Sequence, residues 1–279
     1  MSITFSSCFY IIKSKFDPSI YIYWMNNFIS IVKHFNLVIY TDENAVKYID
    51  VKCKENPRIK VIIKPLDQFY HYDKKDFWIK NHAKNVYLND RVDWEVNMLW
   101  SEKIWFVKET IERKYFETEF YGWCDIGYFR NRINDLHTTR LDNWCNSDSN
   151  SHFKNLLQKN KNKIMYACIN NDFNFLNWLH QLVNNKEHSS GLPLQPIPPR
   201  QVSIAGGFFV LHKDNITWWC ETYDSLLKKY FENDYLVKDD QIILANCILD
   251  EDLKEHFILF TESNPAFDNW FMFQRILNE

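Results

Sequence analysis

The chain has 279 residues, of which 46% are apolar and 25% charged, and a formal net charge of −3. That length is ample for a substantial buried core, and the composition excludes a disordered or fibrous chain. Thirty-three basic against 36 acidic residues leave no global positive field of the kind a general nucleic-acid binder needs, and no apolar run reaches the roughly 18 residues that span a bilayer. Aromatic residues are unusually abundant (11 Trp, 15 Tyr, 22 Phe), whereas glycine occurs only five times. The seven cysteines are widely spread with no C-x-x-C pair, which argues against a disulfide framework or zinc knuckle and for a reducing, cytoplasmic compartment. Asparagine, lysine and isoleucine are frequent, as an AT-rich genome produces. That bias suits a bacterium, a parasite or a giant virus, and in the last case the compartment is the host cytoplasm.

In chain order, residues 4–12 are rich in β-branched and aromatic types and predict a buried strand. No charged segment precedes them and no small-residue cleavage site follows, so they read as a first strand rather than a signal peptide. Asp17 and Pro18 then open a helix whose apolar positions recur through residue 34. Residues 36–41 predict a second strand, with Asp42 and Glu43 able to cap a short helix containing Val46 and Ile49. A third strand covers 58–64. This alternation predicts a parallel sheet with helices on its faces. Residues 66–92 lack a clean period and read as a loop with helical pieces. From 93 to about 114 the helical period returns strongly, with Lys103 on the apolar face between Leu99 and Val107. A buried strand covers 119–128. Residues 131–163 are polar and weakly patterned, a short strand covers 164–169, and 173–183 is apolar enough for a helix. A loop then carries four of the eight prolines. A strand is predicted over 202–211, interrupted by Gly206 and Gly207, then a helix over 215–231 and another opened by residues 237–241 and running to 248. A last strand spans 256–260, followed by an aromatic tail with Phe267, Trp270, Phe271 and Phe273. No internal repeat or interdomain linker stands out.

Four features sit where a strand or helix meets a loop. In the run Trp123-Cys124-Asp125-Ile126-Gly127-Tyr128-Phe129-Arg130, an apolar strand ends in an acid. That puts a carboxylate at the carboxyl end of a sheet, where open α/β sheets hold ligands. Gly127 permits close backbone approach, and Arg130 suits phosphate oxygens; a simple strand exit with Asp125 capping a turn is the bland alternative. Ala205-Gly206-Gly207-Phe208-Phe209 reads either as a close approach to a ligand or as a tight turn. In Lys238-Asp239-Asp240-Gln241 one acid is expected to N-cap the following helix, leaving the other free to face a cleft. Lys103 either snorkels to water or reaches the cleft to meet a phosphate. His256, opening the last strand, is the best-placed histidine for function. No Walker A loop, G-x-G-x-x-G, H-E-x-x-H or G-x-S-x-G occurs, which removes P-loop nucleotidases, dinucleotide oxidoreductases, zincins and α/β-hydrolases from the front rank. Shared placement of these acids and glycines fits a fold that binds a nucleotide diphosphate through an acid and a divalent metal.

Taken in series, Asn97 to Lys103, Tyr121 to Arg130, Ala205 to Phe209 and Asp239 to Gln241 resemble the HtrL/YibB-like family in order and approximate spacing. The resemblance covers residues 97–245, and the N-terminal strands fit the same fold. It implies a GT-A-like α/β fold: one domain over 1–279, with a mixed, mostly parallel central sheet flanked by helices. Within it, 1–130 would be the nucleotide-sugar-binding half and 131–279 the acceptor-binding half. The implied activity is transfer of a sugar from a nucleotide-sugar to a hydroxyl of a glycan or glycoconjugate, with no nucleic-acid partner and no transmembrane segment. Asp125 corresponds to the leading acid of the family's metal- and donor-binding element, with Gly127 where a second acid normally stands. An Mn²⁺ or Mg²⁺ ion would then take a further ligand elsewhere, His256 or Asp268, or go unused. Asp240, ahead of Asp239, is the implied catalytic base; Lys103 and Arg130 are implied phosphate partners, and Gly206 and Gly207 line the acceptor side. Two other readings remain open from the residues: an inactive glycan-binding or host-interaction module, and a metal-dependent phosphohydrolase using the same acids.

Overall fold

The apolar run near the N-terminus forms the strand on which the sheet is built. The computed structural model describes residues 2–49, 52–146, 151–262 and 264–278. Strand β1 (Ile3–Phe9) is buried throughout and pairs in parallel with β2 (Asn36–Thr41) on one side and β4 (Phe120–Cys124) on the other. Strand β3 (Ile59–Ile63) adds in parallel beyond β2. Past β4 a single strand runs the other way. Strand β6 (Phe208–His212) is antiparallel to both β4 and β5 (Ile164–Ala167), and β7 (Phe257–Phe260) runs parallel to β5. The order is β3-β2-β1-β4-β6-β5-β7, a seven-stranded, mixed and mostly parallel sheet.

Helices cover both faces, which is why the central strands are continuous apolar runs rather than alternating ones. Strand β4 shows the division: Phe120 and Cys124 join one apolar cluster, whereas Tyr121 and Trp123 join the other. The first cluster lies under α1 (Pro18–Ser30), α2 (Lys52–Glu55), α5 (Ser151–Lys159) and α9 (Phe273–Ile276). Its counterpart lies under α3 (Lys75–Lys84), α4 (Trp94–Glu112), α6 (Phe173–Asn184), α7 (Ile216–Glu232) and α8 (Asp240–Leu249). All seven cysteines are buried, and no helix among the described residues is long and apolar enough to cross a membrane.

Local chemistry sets the boundaries. Asp17 N-caps α1 by accepting from the Ser19 N–H at 2.9 Å, with Pro18 in the first turn. Asp42 accepts from the Ala45 N–H at 2.7 Å and opens a 3₁₀ turn over Val46–Tyr48. The loop with helical pieces expected over 66–92 is two 3₁₀ turns that run into α3. Two segments differ from expectation. Residues 131–163 contain α5, whose apolar positions Phe153, Leu156 and Leu157 span little more than one turn between polar residues; residues 147–150 of that stretch lie outside the described residues. The strand expected over 202–211 begins only at Phe208, with Ile204 making an isolated bridge to Cys168.

Helix α4 is pinned by a buried ionic cluster. Glu102 accepts from the backbone N–H groups of Tyr70 (2.6 Å) and His71 (3.1 Å) and stands 2.9 Å from His71 Nδ1. The other ring nitrogen faces Asp224 of α7 at 3.3 Å, and Lys74 binds the same carboxylate at 3.0 Å. Burial alone would lower the His71 pKa, but Asp224 and Glu102 outweigh it and hold it above the ordinary value. Burial also opposes ionisation of Asp224, yet His71 and Lys74 bring it down to about 2. A raised histidine pKa contributes stability that is full below its unfolded value of about 6.5 and fades as pH rises through the folded value. The depressed Asp224 acts the other way, its contribution fading only as pH falls from 3.8 toward about 2. Raising the pH from 6.5 is therefore expected to lower the melting temperature more in the wild type than in His71→Gln, as followed by circular dichroism. Equal slopes in the two proteins would rule out a charged His71.

Candidate active site

A cavity of about 370 Å³ opens at the carboxyl ends of β1 and β4, beside the start of β6 and the first turn of α8. Its lining includes Lys103, Asp125, Gly127, Arg130, Gly206, Gly207, Asp239 and Asp240. Eight of the ten residues given a site role in the sequence therefore meet in one place. The other two, His256 and Asp268, do not.

Asp125 follows directly on β4. Its N–H donates to the Gly207 carbonyl (2.8 Å), and its own carbonyl accepts from the Tyr128 N–H (2.9 Å), closing the turn through backbone alone. The carboxylate is thereby free of capping duty. Trp123 Nε1 donates to Oδ1 at 2.6 Å and orients it.

Lys103 does not snorkel. It is 6% exposed, and its ammonium lies 3.1 Å from Asp125 Oδ1 and 3.0 Å from Asp240 Oδ2 while donating to the Gly206 carbonyl at 2.8 Å. An ammonium has three N–H donors, and here each has an acceptor. Burial would lower the lysine pKa, but the charges of Asp125 and Asp240 prevail and hold it above the usual lysine range. The Asp240 pKa is raised, first by burial and then by its neighbours Asp239 and Asp125, against the opposing pull of Lys103.

Asp239 occupies the N-cap position of α8, yet its side chain makes no capping bond, so neither acid caps the helix through its carboxylate. Instead Asp239 Oδ2 pairs with Lys238 at 2.9 Å, and Oδ1 is buried with no hydrogen-bond partner among the described residues. The glycines owe their place to these carboxylates. A Cβ on Gly206 would stand 2.9 Å from the Asp240 carboxyl carbon, and one on Gly207 would stand 3.1 Å from Asp125 Oδ2. Neither glycine is in the left-handed region; close approach, not backbone freedom, requires them. Arg130 donates from Nε to the Gly127 carbonyl (2.8 Å), and its guanidinium lies over Trp24 (4.2 Å) and Phe271 (5.0 Å). Burial, then the nearby Arg132, draws its pKa below the ordinary arginine value.

The expected metal ligands are corrected. His256 stacks on Trp218, ring centroids 4.0 Å apart, at the amino end of β7. Because β7 runs parallel to β4, that end is opposite the one carrying Asp125. Asp268 caps its own 3₁₀ turn through the Trp270 N–H (3.0 Å) and pairs with Arg132 at 2.6 Å. Among the described residues no three His, Cys, Asp or Glu side chains stand together as a metal site. With Asp125 Oδ1 already engaged by Lys103 and Trp123, the residues present do not fit the expected Mn²⁺ or Mg²⁺.

Two lining cations carried no assigned role in the sequence. Lys15 stands in the loop after β1, with its ammonium 4.5 Å from the Trp100 ring centroid, and Lys238 pairs with Asp239. The loop that follows the first parallel strand was the available signal for Lys15, since ligands gather at such strand ends.

No family model and no curated protein matches the sequence. Among solved structures the fold is similar to mouse xyloside xylosyltransferase 1 in its apo form, with a TM-score of 0.49 and 12% identity over 93% of this chain and 85% of that one.

Removing Lys103 leaves two carboxylates facing each other with one of them buried, so Lys103→Met is expected to cost about 3–5 kcal/mol in urea unfolding. Adding Asp240→Asn to that variant should recover part of the loss, because the stranded charge goes with it. Gly206→Ala forces the Asp240 carboxylate to move and is expected to cost about 1–3 kcal/mol. A neutral Gly206→Ala would mean that the Asp240 carboxylate is not held against the Gly206 Cα.

Proposed function

We propose that the protein is a glycosyltransferase of GT-A type, related to the HtrL/YibB-like family, that moves a sugar from a nucleotide-sugar to an acceptor hydroxyl on a glycan or glycoconjugate. The observation that carries this reading is the meeting of four separated motifs on one cavity: Lys103, Asp125 with Gly127 and Arg130, Gly206-Gly207, and Asp239-Asp240. Residues 1–130 form the donor half and 131–279 the acceptor half of this single domain, and the cavity draws on both. The acceptor oxygen attacks the anomeric carbon as the bond from that carbon to the diphosphate oxygen breaks. The bonding electrons leave with the diphosphate, and the acceptor proton passes to a carboxylate.

Asp239 and Asp240 are the candidates for that carboxylate. The raised pKa of Asp240 suits a proton acceptor, whereas Asp239 has the oxygen without a partner. Lys103 and Arg130 supply positive charge beside the departing diphosphate, the role of a preorganised electrostatic site. Asp125, held by Trp123 and Lys103, faces the donor.

The test is release of nucleoside diphosphate from UDP-, GDP- and dTDP-sugars, with and without simple glycosides as acceptors. One nucleotide class is expected to turn over. Asp239→Asn and Asp240→Asn then separate the two candidates: the base should lose about 10²–10⁴-fold in kcat, and the other acid less. Asp125→Asn should weaken donor binding. Glycan binding without any release would replace the transferase by a binding module.

A further inference from the structure

Each acid facing the cavity already has a lysine. Lys103 sits between Asp125 and Asp240, and Lys238 holds Asp239. The Lys103 ammonium has acceptors on three sides and is buried, so its charge occupies the space between two carboxylates where a divalent cation would sit. A second acid cannot be supplied at position 127 either. A Cβ there would stand 2.8 Å from Trp24 Cε3, inside the ring that Arg130 covers.

Two lining cations remain without a carboxylate among the described residues. Lys15 rests over Trp100. Among the described residues Arg130 is held through Nε alone, by the Gly127 carbonyl, and its two terminal nitrogens have no hydrogen bond. A guanidinium and an ammonium at one cavity are the donors that phosphate oxygens take.

We propose that the cavity binds the pyrophosphate group of a nucleoside diphosphate without any divalent metal, with Lys103 as the fixed cation between Asp125 and Asp240, and with Lys15 and Arg130 receiving the phosphate oxygens. The inference rests on the donor-binding reading above and adds to it how the charge is neutralised. Lys15 becomes a ligand-binding residue, and Lys103 acts chiefly by holding the two acids and their shared field.

The experiment uses the full chain, with inorganic pyrophosphate and UDP or GDP as probes in isothermal titration calorimetry in EDTA, and Mn²⁺ alone in electron paramagnetic resonance. Binding of pyrophosphate or a nucleotide in EDTA is expected. Lys15→Met and Arg130→Met should each weaken it about tenfold, the value of a lost charged hydrogen bond, with each variant still folding cooperatively and Arg130→Lys, which keeps the charge, losing less than Arg130→Met. Mn²⁺ should give only the free-ion signal in the presence of protein. Binding that requires Mn²⁺, an immobilised Mn²⁺ signal abolished by Asp125→Asn, or no binding of any probe would overturn the proposal. The two readings fail separately. Binding in EDTA with no sugar transfer from any donor keeps this inference and removes the transferase, whereas Mn²⁺-dependent binding with transfer does the reverse.

Discussion

The buried ammonium of Lys103 is the interaction from which the rest of the site follows. A lysine on the apolar face of a long helix has to lose its hydration, and it is tolerated only where carboxylates and a carbonyl replace the lost water. Asp125, Asp240 and the Gly206 carbonyl do this, and they come from three different parts of the chain. Their meeting therefore ties the end of β4, the bend before β6 and the first turn of α8 to one point on α4. A triad of this kind is a poor source of net stability, because apolar residues of the same volume hold a core equally well. What it secures is placement. Two acids are fixed at set positions in a cavity with their repulsion neutralised.

Neighbouring features serve the same constraint. Glu102, one residue before Lys103, is locked by His71 and two backbone N–H groups on the other side of α4, so the helix has little freedom to rotate the lysine away. Trp123 lies flat against Phe106 of α4 and directs its indole N–H at Asp125. The scarcity of glycine makes its distribution informative. Of the five, Gly127, Gly206 and Gly207 stand where a Cβ would strike Trp24, Asp240 or Asp125.

Much of this was legible in the sequence, for physical reasons that also mark where legibility ended. Continuous apolar runs such as Asn36–Thr41 and Phe120–Cys124 announce strands covered on both faces, and Asp17-Pro18 announces a helix start. The acids and glycines of the site stood out because each interrupts such a run. Strand direction leaves no trace in periodicity. The reversal at β6 depends on which strands pair, whereas β7 keeps the sense of β4, so His256 at its start falls at the end of the sheet away from Asp125. Helix α5 was missed because its apolar stripe, Phe153 with Leu156 and Leu157, is only about one turn long and is set in a polar, Asn-rich stretch. Neither Asp239 nor Asp240 caps α8 as expected: Asp240 is drawn to Lys103 of α4, a tertiary contact, and Asp239 pairs with its chain neighbour Lys238. Lys15 lies in no motif; only the topology, by bringing the loop after β1 beside α4, gives it meaning.

Charge distribution carries the argument one step further. The chain as a whole is slightly acidic, yet four cations line the cavity against three carboxylates. Three carboxylates without lysines would repel an anionic ligand. With Lys103 and Lys238 in place the acids are paired internally, while Lys15 and Arg130 stand apart from them at the mouth. A low-dielectric cavity strengthens their local field over the screened average of the surface. Under the proposed function, holding a polyanion and presenting a base to a hydroxyl calls for both charges close together without mutual cancellation. Pairing each acid with an internal lysine, and leaving separate cations on aromatic faces, meets that requirement within one wall of the sheet.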